Sequence, residues 1–225
     1  MIAENVKNIR QRIKSACMRV GRKPEDVKLI AVTKTLESAV ISEVIKEGIH
    51  DIGENYVQEI KRKREEVPDD RIRWHFIGHL QSNKIKYIAG WIHLIQTVDS
   101  LELGSQLSKR AGTLNCKLNV LVEIKTTKEE GKFGVPIDFA PKLMKDLAIL
   151  PNLNINGLMT MGPFSIDPEE SRLSFRTLRL LKESLEQDGF SLPILSMGMT
   201  NDFEIAIEEG STMLRIGTAI FGKRT

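Results

Sequence analysis

Lys34 closes the apolar run Val27-Lys-Leu-Ile-Ala-Val-Thr-Lys34. An amine at the end of a buried strand has two options. It can snorkel to the rim and stay charged, or it can sit where it is dry enough to be partly neutral and able to form a Schiff base with a carbonyl compound. Two later stretches have the character of an anion site. Ser196-Met-Gly-Met-Thr200-Asn-Asp-Phe-Glu204 sets hydroxyls and Gly198 on a strand-to-helix loop, with Asn201 and Glu204 spaced as a near capping box. Such a helix start gathers unpaired N–H groups and the positive end of a dipole, where a phosphate is held. Arg215-Ile-Gly217-Thr-Ala-Ile-Phe-Gly222 puts an arginine on the same strand face as Gly217, and a glycine there lets backbone approach a ligand closely. A phosphate-bearing ligand is the expectation. Polar groups also end the runs Gly53-Glu54-Asn55-Tyr56 and Trp74-His75-Phe-Ile-Gly78-His79-Leu80-Gln81. His75 reads as a satisfied core histidine and His79 as a rim residue. Neither has zinc-ligand spacing with a third ligand, so no metal is assigned.

These residues need elements that bring them to one place. Ile2, Val6, Ile9, Ile13, Cys17 and Val20 recur at helical spacing and stop at Gly21, which predicts an N-terminal surface helix. The run ending in Lys34 is then the first of eight strand-like runs, the others lying near 49–53, 73–78, 92–98, 118–126, 153–161, 194–198 and 213–217. Each but the last is followed by a helix candidate, including 137–150 and 169–187, where Leu173, Leu178, Leu181 and Leu185 are expected to share a face and Asp167-Pro168 to start the helix. Strict β/α alternation over this length predicts a (β/α)8 barrel with an extra N-terminal helix. An open doubly wound sheet also alternates, but no GxGxxG opens the first unit. In a barrel the site belongs at the C-terminal ends of the strands, and Lys34, if inward, shares its face with Val32 and Ile30.

Composition excludes several classes. The 225 residues carry a net charge of +3 with 28% charged residues interleaved along the chain, which indicates neither a nucleic-acid stripe nor a disordered tail. The densest charge run, 61–66 (KRKREE), reads as a solvated helix face. No apolar run spans a membrane and no secretory signal opens the chain, so a cytoplasmic location is expected. Cys17 and Cys116 read as small buried hydrophobes. No linker divides the chain, so one domain over 1–225 is expected, and no oligomer signal is evident, so a monomer is expected.

Ala-Val-Thr-Lys34, Gly53-Glu-Asn-Tyr-Val-Gln-Glu59, Trp74-His-Phe-Ile-Gly-His-Leu-Gln81, Gly157-Leu-Met-Thr-Met161, Ser196-Met-Gly-Met-Thr200 and Arg215-Ile-Gly-Thr-Ala-Ile-Phe-Gly222, in this order, resemble the pyridoxal phosphate homeostasis proteins, single-domain relatives of alanine racemase. The resemblance runs from about residue 2 to residue 223. It implies a fold-type III barrel that binds pyridoxal 5'-phosphate (PLP), with Lys34 forming the internal aldimine. It further implies that Ser196, Gly198, Thr200 and Gly217 hold the phosphate, that Arg215 faces the pyridine nitrogen, and that Asn55, His79 and Met161 line the ring. The family usually has serine where Thr33 and Thr200 stand here, and both keep the hydroxyl. An arginine beside the pyridine leaves its nitrogen unprotonated and the ring a poor electron sink. Racemisation also needs a second acid/base, which a tyrosine of a C-terminal β domain supplies in alanine racemases. The chain ends at Thr225, and its tyrosines, Tyr56 and Tyr87, lie in early segments. The expected function is therefore PLP binding, homeostasis and supply without strong turnover, with PLP passed transiently to apo-enzymes. A PLP-dependent amino-acid racemase is the alternative, and a Schiff-base aldolase acting on a sugar phosphate a weaker one.

Overall fold

A computed structural model describes residues 1–129 and 131–222. The last three residues of the domain expected over 1–225 lie outside the described residues. The chain opens with α1 (Ile2–Arg19) and continues as β1 (Lys28–Val32), α2 (Ala39–Lys46), β2 (Asp51–Glu54), α3 (Val57–Glu66), β3 (Arg73–Phe76) and β4 (Leu94–Val98). It goes on through α4 (Leu101–Thr113), β5 (Leu118–Lys125), β6 (Val135–Pro136), α5 (Ala140–Ala148), β7 (Leu153–Met159), α6 (Arg172–Gln187), β8 (Ile194–Ser196), α7 (Phe203–Glu208), β9 (Met213–Ile216) and α8 (Thr218–Phe221). The sheet order is β4-β3-β2-β1-β9-β8-β7-β5-β6, and a β4–β5 pairing joins its ends, with every pairing parallel. Setting aside the two-residue β6, this is a closed (β/α)8 barrel, as the alternation predicts. Its strands are nearly continuous apolar runs because they are covered on both sides.

Alternation along the strands sorts side chains into two cores. Ile30, Leu94, Leu121, Met159 and Met213, from five strands around the barrel, pack together, which is possible only in its interior. The outward set, including Ala31, Ile52, Ile95, Val120, Leu158 and Leu214, packs under the helices. The α1 helix buries Val6, Ile9, Ile13 and Cys17 as its spacing predicts, whereas Val20 is its exposed C-cap. Hydrogen bonds from Asn5 to the Ile220 carbonyl (2.8 Å) and from Arg22 to the Ile207 carbonyl (2.8 Å) tie it to the closing elements of the barrel.

Several expectations change. The link between β3 and β4 holds a 3-10 helix, Ser82–Tyr87, in place of a full α-helix. Strand β9 is followed by the short α8. Leu173 is 74% exposed and off the apolar face of α6, which buries Phe175, Leu178 and Leu185. Asp167 does cap the turn that starts this helix, its side chain accepting from the Glu169 amide at 3.0 Å. The largest difference is Lys63, which is completely buried within the supposedly solvated charge run.

Candidate active site at the mouth of the barrel

The residues singled out in the sequence come together on six neighbouring strands in the order β3, β2, β1, β9, β8, β7. His79 follows β3, Asn55 follows β2, Lys34 follows β1, Gly217 follows β9, Gly198 and Thr200 follow β8, and Met161 follows β7. All lie beyond the C-terminal ends of parallel strands, where loops rather than ladders decide geometry.

Lys34 stands two residues past the end of β1, in a turn and half-buried, so it is carried by the turn and not by the strand itself. Thr33 is completely buried, with its amide bonded to the Gly53 carbonyl at 3.1 Å. Thr35 sits at φ 63°, a left-handed conformation that a β-branched residue rarely adopts. Its amide donates to Glu59 Oε1 at 2.6 Å.

Two strands round the rim from β1, Gly198 adopts φ 96° and packs so tightly on α7 that an added Cβ would lie 2.5 Å from the Ala206 Cβ. Thr200 Oγ1 accepts from the Ala219 amide at 3.2 Å and so ties the loop after β8 to the first turn of α8. The expected capping box does not form. Helix α7 begins at Phe203 with Asp202 at its N-cap position, and Glu204 pairs with Arg12 at 3.1 Å. Both α7 and α8 are short, so their dipoles are small. Loop amides and the Thr200 hydroxyl are what an anion would meet here.

Below the mouth, polar side chains form a chain of hydrogen bonds through the barrel. Arg215 donates to Ser196 Oγ (2.5 Å) and to the Thr160 carbonyl (2.8 Å). Ser196 Oγ donates to Gln96 Oε1 (2.6 Å), Gln96 Nε2 meets His75 Nδ1 (3.3 Å), and His75 Nε2 meets Asp51 Oδ1 (2.9 Å). Ser196 is completely buried and both its donor and an acceptor position are used. Its hydroxyl therefore links Arg215 to Gln96. Burial lowers the Arg215 guanidinium to about 10, opposed by the charges of Glu123 and Asp202, so it remains protonated at neutral pH. His75 is the satisfied core histidine its position predicts. Asp51, His75 and His93 offer ligand atoms within 4.8 Å of one another. Arg73 already grips both Asp51 oxygens (2.9 and 2.5 Å), and Lys28 stands 3.9 Å away, so the surroundings repel a cation. Although burial raises the Asp51 carboxyl, hydrogen bonds from Arg73 and His75 hold it far below its usual range.

Glu123 is a site-adjacent residue that the sequence reading passed over. It lies two residues beyond the interior Leu121 on β5 and is buried. Burial raises its carboxyl to about 7, Asp99 adds to the rise, and Arg215 opposes it. Because its folded value exceeds the unfolded one, the neutral form favours folding. That contribution is full below about pH 4 and is lost as pH rises through 7. Glu123→Gln keeps the neutral shape, so it should match wild type near pH 4 and exceed its stability by on the order of 3 kcal/mol above pH 8. Denaturant melts at the two pH values check this, and an equal difference at both would contradict it.

His79 is exposed and stacks on Phe133 of the loop after β5, with ring centroids 4.2 Å apart. Lys132 of that loop donates to the Gly162 carbonyl at 2.7 Å, so the loop touches the segments that follow both β3 and β7. Asn55 Oδ1 is a buried acceptor with no hydrogen-bond partner among the described residues. A cavity of about 520 Å³ opens beside it, lined by Tyr56, Phe76, His79 and Lys84 among others. Met161 packs on the interior cluster that contains Met159.

The family model of the alanine racemase N-terminal domain matches residues 2–225. A pyridoxal phosphate homeostasis protein of Aquifex aeolicus is 42% identical over 98% of this chain and 97% of its own. The chain belongs to the pyridoxal phosphate homeostasis protein family. Among solved structures, PipY of Synechococcus elongatus with PLP bound is similar to this family member at a TM-score of 0.88 and 32% identity, covering 99% of this chain and 100% of that one. Alanine racemase of Clostridium difficile 630 shares the fold at 16% identity and a TM-score of 0.78, and the match covers 57% of that longer chain. Among the described residues of this homeostasis-family chain, no helix is long and apolar enough to cross a membrane.

Proposed function

We propose that this protein binds PLP at the barrel mouth, holds it as a Schiff base on Lys34, and serves intracellular PLP homeostasis and supply without strong turnover. The observation that carries the proposal is the placing of an amine, a glycine-bearing loop with a tied hydroxyl, and a buried arginine on the adjacent strands β1, β8 and β9. The names of the relatives point the same way: one is a PLP homeostasis protein and another is a structure with PLP bound. The orphaned Asn55 Oδ1 at the mouth supports the fit, since a buried acceptor gains on meeting a ligand donor.

When bound, PLP supplies an aldehyde that condenses with the Lys34 amine to a Schiff base, with loss of one water. In this reading Ser196, the Gly198–Thr200 loop and the backbone at Gly217 take the phosphate. Asn55, His79 and Met161 line the ring. Arg215, tethered by Ser196 and the Thr160 carbonyl, faces the pyridine nitrogen and offers only donors. A ring nitrogen left unprotonated supports little carbanion stabilisation, which favours holding and releasing the cofactor over turning over amino acids. The reading takes 1–225 as one domain, acting as a cytoplasmic monomer that meets apo-enzymes transiently.

Two measurements run together test the role. Loaded protein should restore activity to an apo PLP enzyme, and it should incorporate deuterium at the α-carbon of L-alanine at a negligible rate in heavy water. Loss of a well-placed base commonly costs ~10²- to 10⁴-fold. Rapid exchange with inversion and no transfer would make the protein a racemase.

A further inference from the structure

We propose that Lys63, with Glu54 and Glu59, is a positioning residue for Lys34: from α3 and β2 these side chains grip the Thr33–Thr35 turn and set where the Lys34 side chain leaves the backbone. The proposal rests on the reading of Lys34 as the Schiff-base lysine.

An ammonium has three N–H donors. All three of Lys63 are used, toward the Thr33 carbonyl (2.6 Å), Glu54 Oε1 (2.7 Å) and Glu59 Oε1 (3.1 Å), and its side chain is 0% exposed. Glu54 Oε1 also accepts from the Thr33 hydroxyl at 2.5 Å, and Glu59 Oε1 from the Thr35 amide at 2.6 Å. The residue before Lys34 is thus held by its carbonyl and hydroxyl, and the residue after it by its amide. Thr35 needs that grip, because its left-handed φ of 63° is strained for a β-branched residue and persists only where neighbours over-determine it.

Stability alone does not account for the cluster. A buried lysine–carboxylate pair sacrifices hydration on both ions, and well-packed apolar substitutes are often as stable or more so. Glu54 Oε2 is buried without a hydrogen-bond partner among the described residues, so even this pair is incompletely satisfied. What an apolar pair would lose is the hold on the turn. An amine must approach an aldehyde carbon along a narrow range of directions, and displacement by about 1 Å can cost on the order of 10²-fold in rate.

The test uses two variants and the wild type. Lys63→Met with Glu54→Gln removes both buried charges together and leaves no lone ion in the core. Glu59→Ala releases the Thr35 amide from a partly exposed position. Each is mixed with PLP, and the yellow absorbance is followed for its rate of appearance and for its midpoint in a pH titration, beside a thermal melt. Both variants are expected to melt cooperatively, to form the Schiff base at least about tenfold more slowly, and to shift the pH midpoint. A wild-type rate and midpoint in folded Glu59→Ala would overturn the proposal, whether or not the double variant folds, because the amide grip would then be dispensable. Wild-type protein that takes no borohydride-stable label on Lys34 would instead remove the Schiff-base reading, and the positioning role with it.

Discussion

Lys34→Ala protein mixed with PLP should stay colourless in the Schiff-base band and take up no borohydride-stable label, while unfolding within about 1 kcal/mol of wild type. The chemistry is the first half of that expectation. Lys34 alone of the lysines stands in the turn directly after β1, beside the loops that follow the neighbouring strands β9 and β2. The stability half follows from how the turn is built. Its anchors belong to Thr33 and Thr35, with Glu54, Glu59 and Lys63 behind them, so shortening the half-buried Lys34 side chain leaves the scaffold in place. An undiminished yellow product on another lysine of the variant would show that the wrong amine has been chosen.

Pyridoxal, which has the aldehyde and ring but no phosphate, should bind more than about 100-fold more weakly than PLP. A hydrogen bond to an ionised phosphate oxygen is worth about 1.5 to 3 kcal/mol. Two such bonds from the loops after β8 and β9 give ~3 to 6 kcal/mol, or roughly 10²- to 10⁴-fold in affinity. The loops suit that task, because Gly198 brings backbone close at φ 96° and Thr200 is fixed by the Ala219 amide. Competitive titration of apo-protein with the two aldehydes decides the matter. Equal affinities would place the phosphate site elsewhere or remove it.

The barrel was legible because buried parallel strands are unbroken β-branched and apolar runs, and because the residue parity that puts Ile30 inside also puts Arg215 and Ser196 inside. The mouth was legible for the same reason, since its residues follow the strands at short, countable distances. Less was visible where contacts cross the sequence. Lys63 lies three residues after Ile60 on the buried face of α3, so a lysine on an apolar stripe was the signal, hidden by the charges around it. Glu123 left a similar sign, an acid at an inward position two residues after Leu121. The hydrogen bonds that join Ser196 to Arg215 and Gln96 cross between strands and leave no sign in the local sequence. The capping box failed because Glu204 finds Arg12, a partner supplied by α1 from the far end of the chain.

The most direct test of Lys34 as the PLP anchor is borohydride reduction of PLP-loaded wild-type protein followed by peptide mass mapping. The account predicts loss of the yellow absorbance on reduction and one phosphopyridoxyl group on the peptide that contains Lys34. A label on a different lysine, or a reduced protein with no label at all, would contradict it.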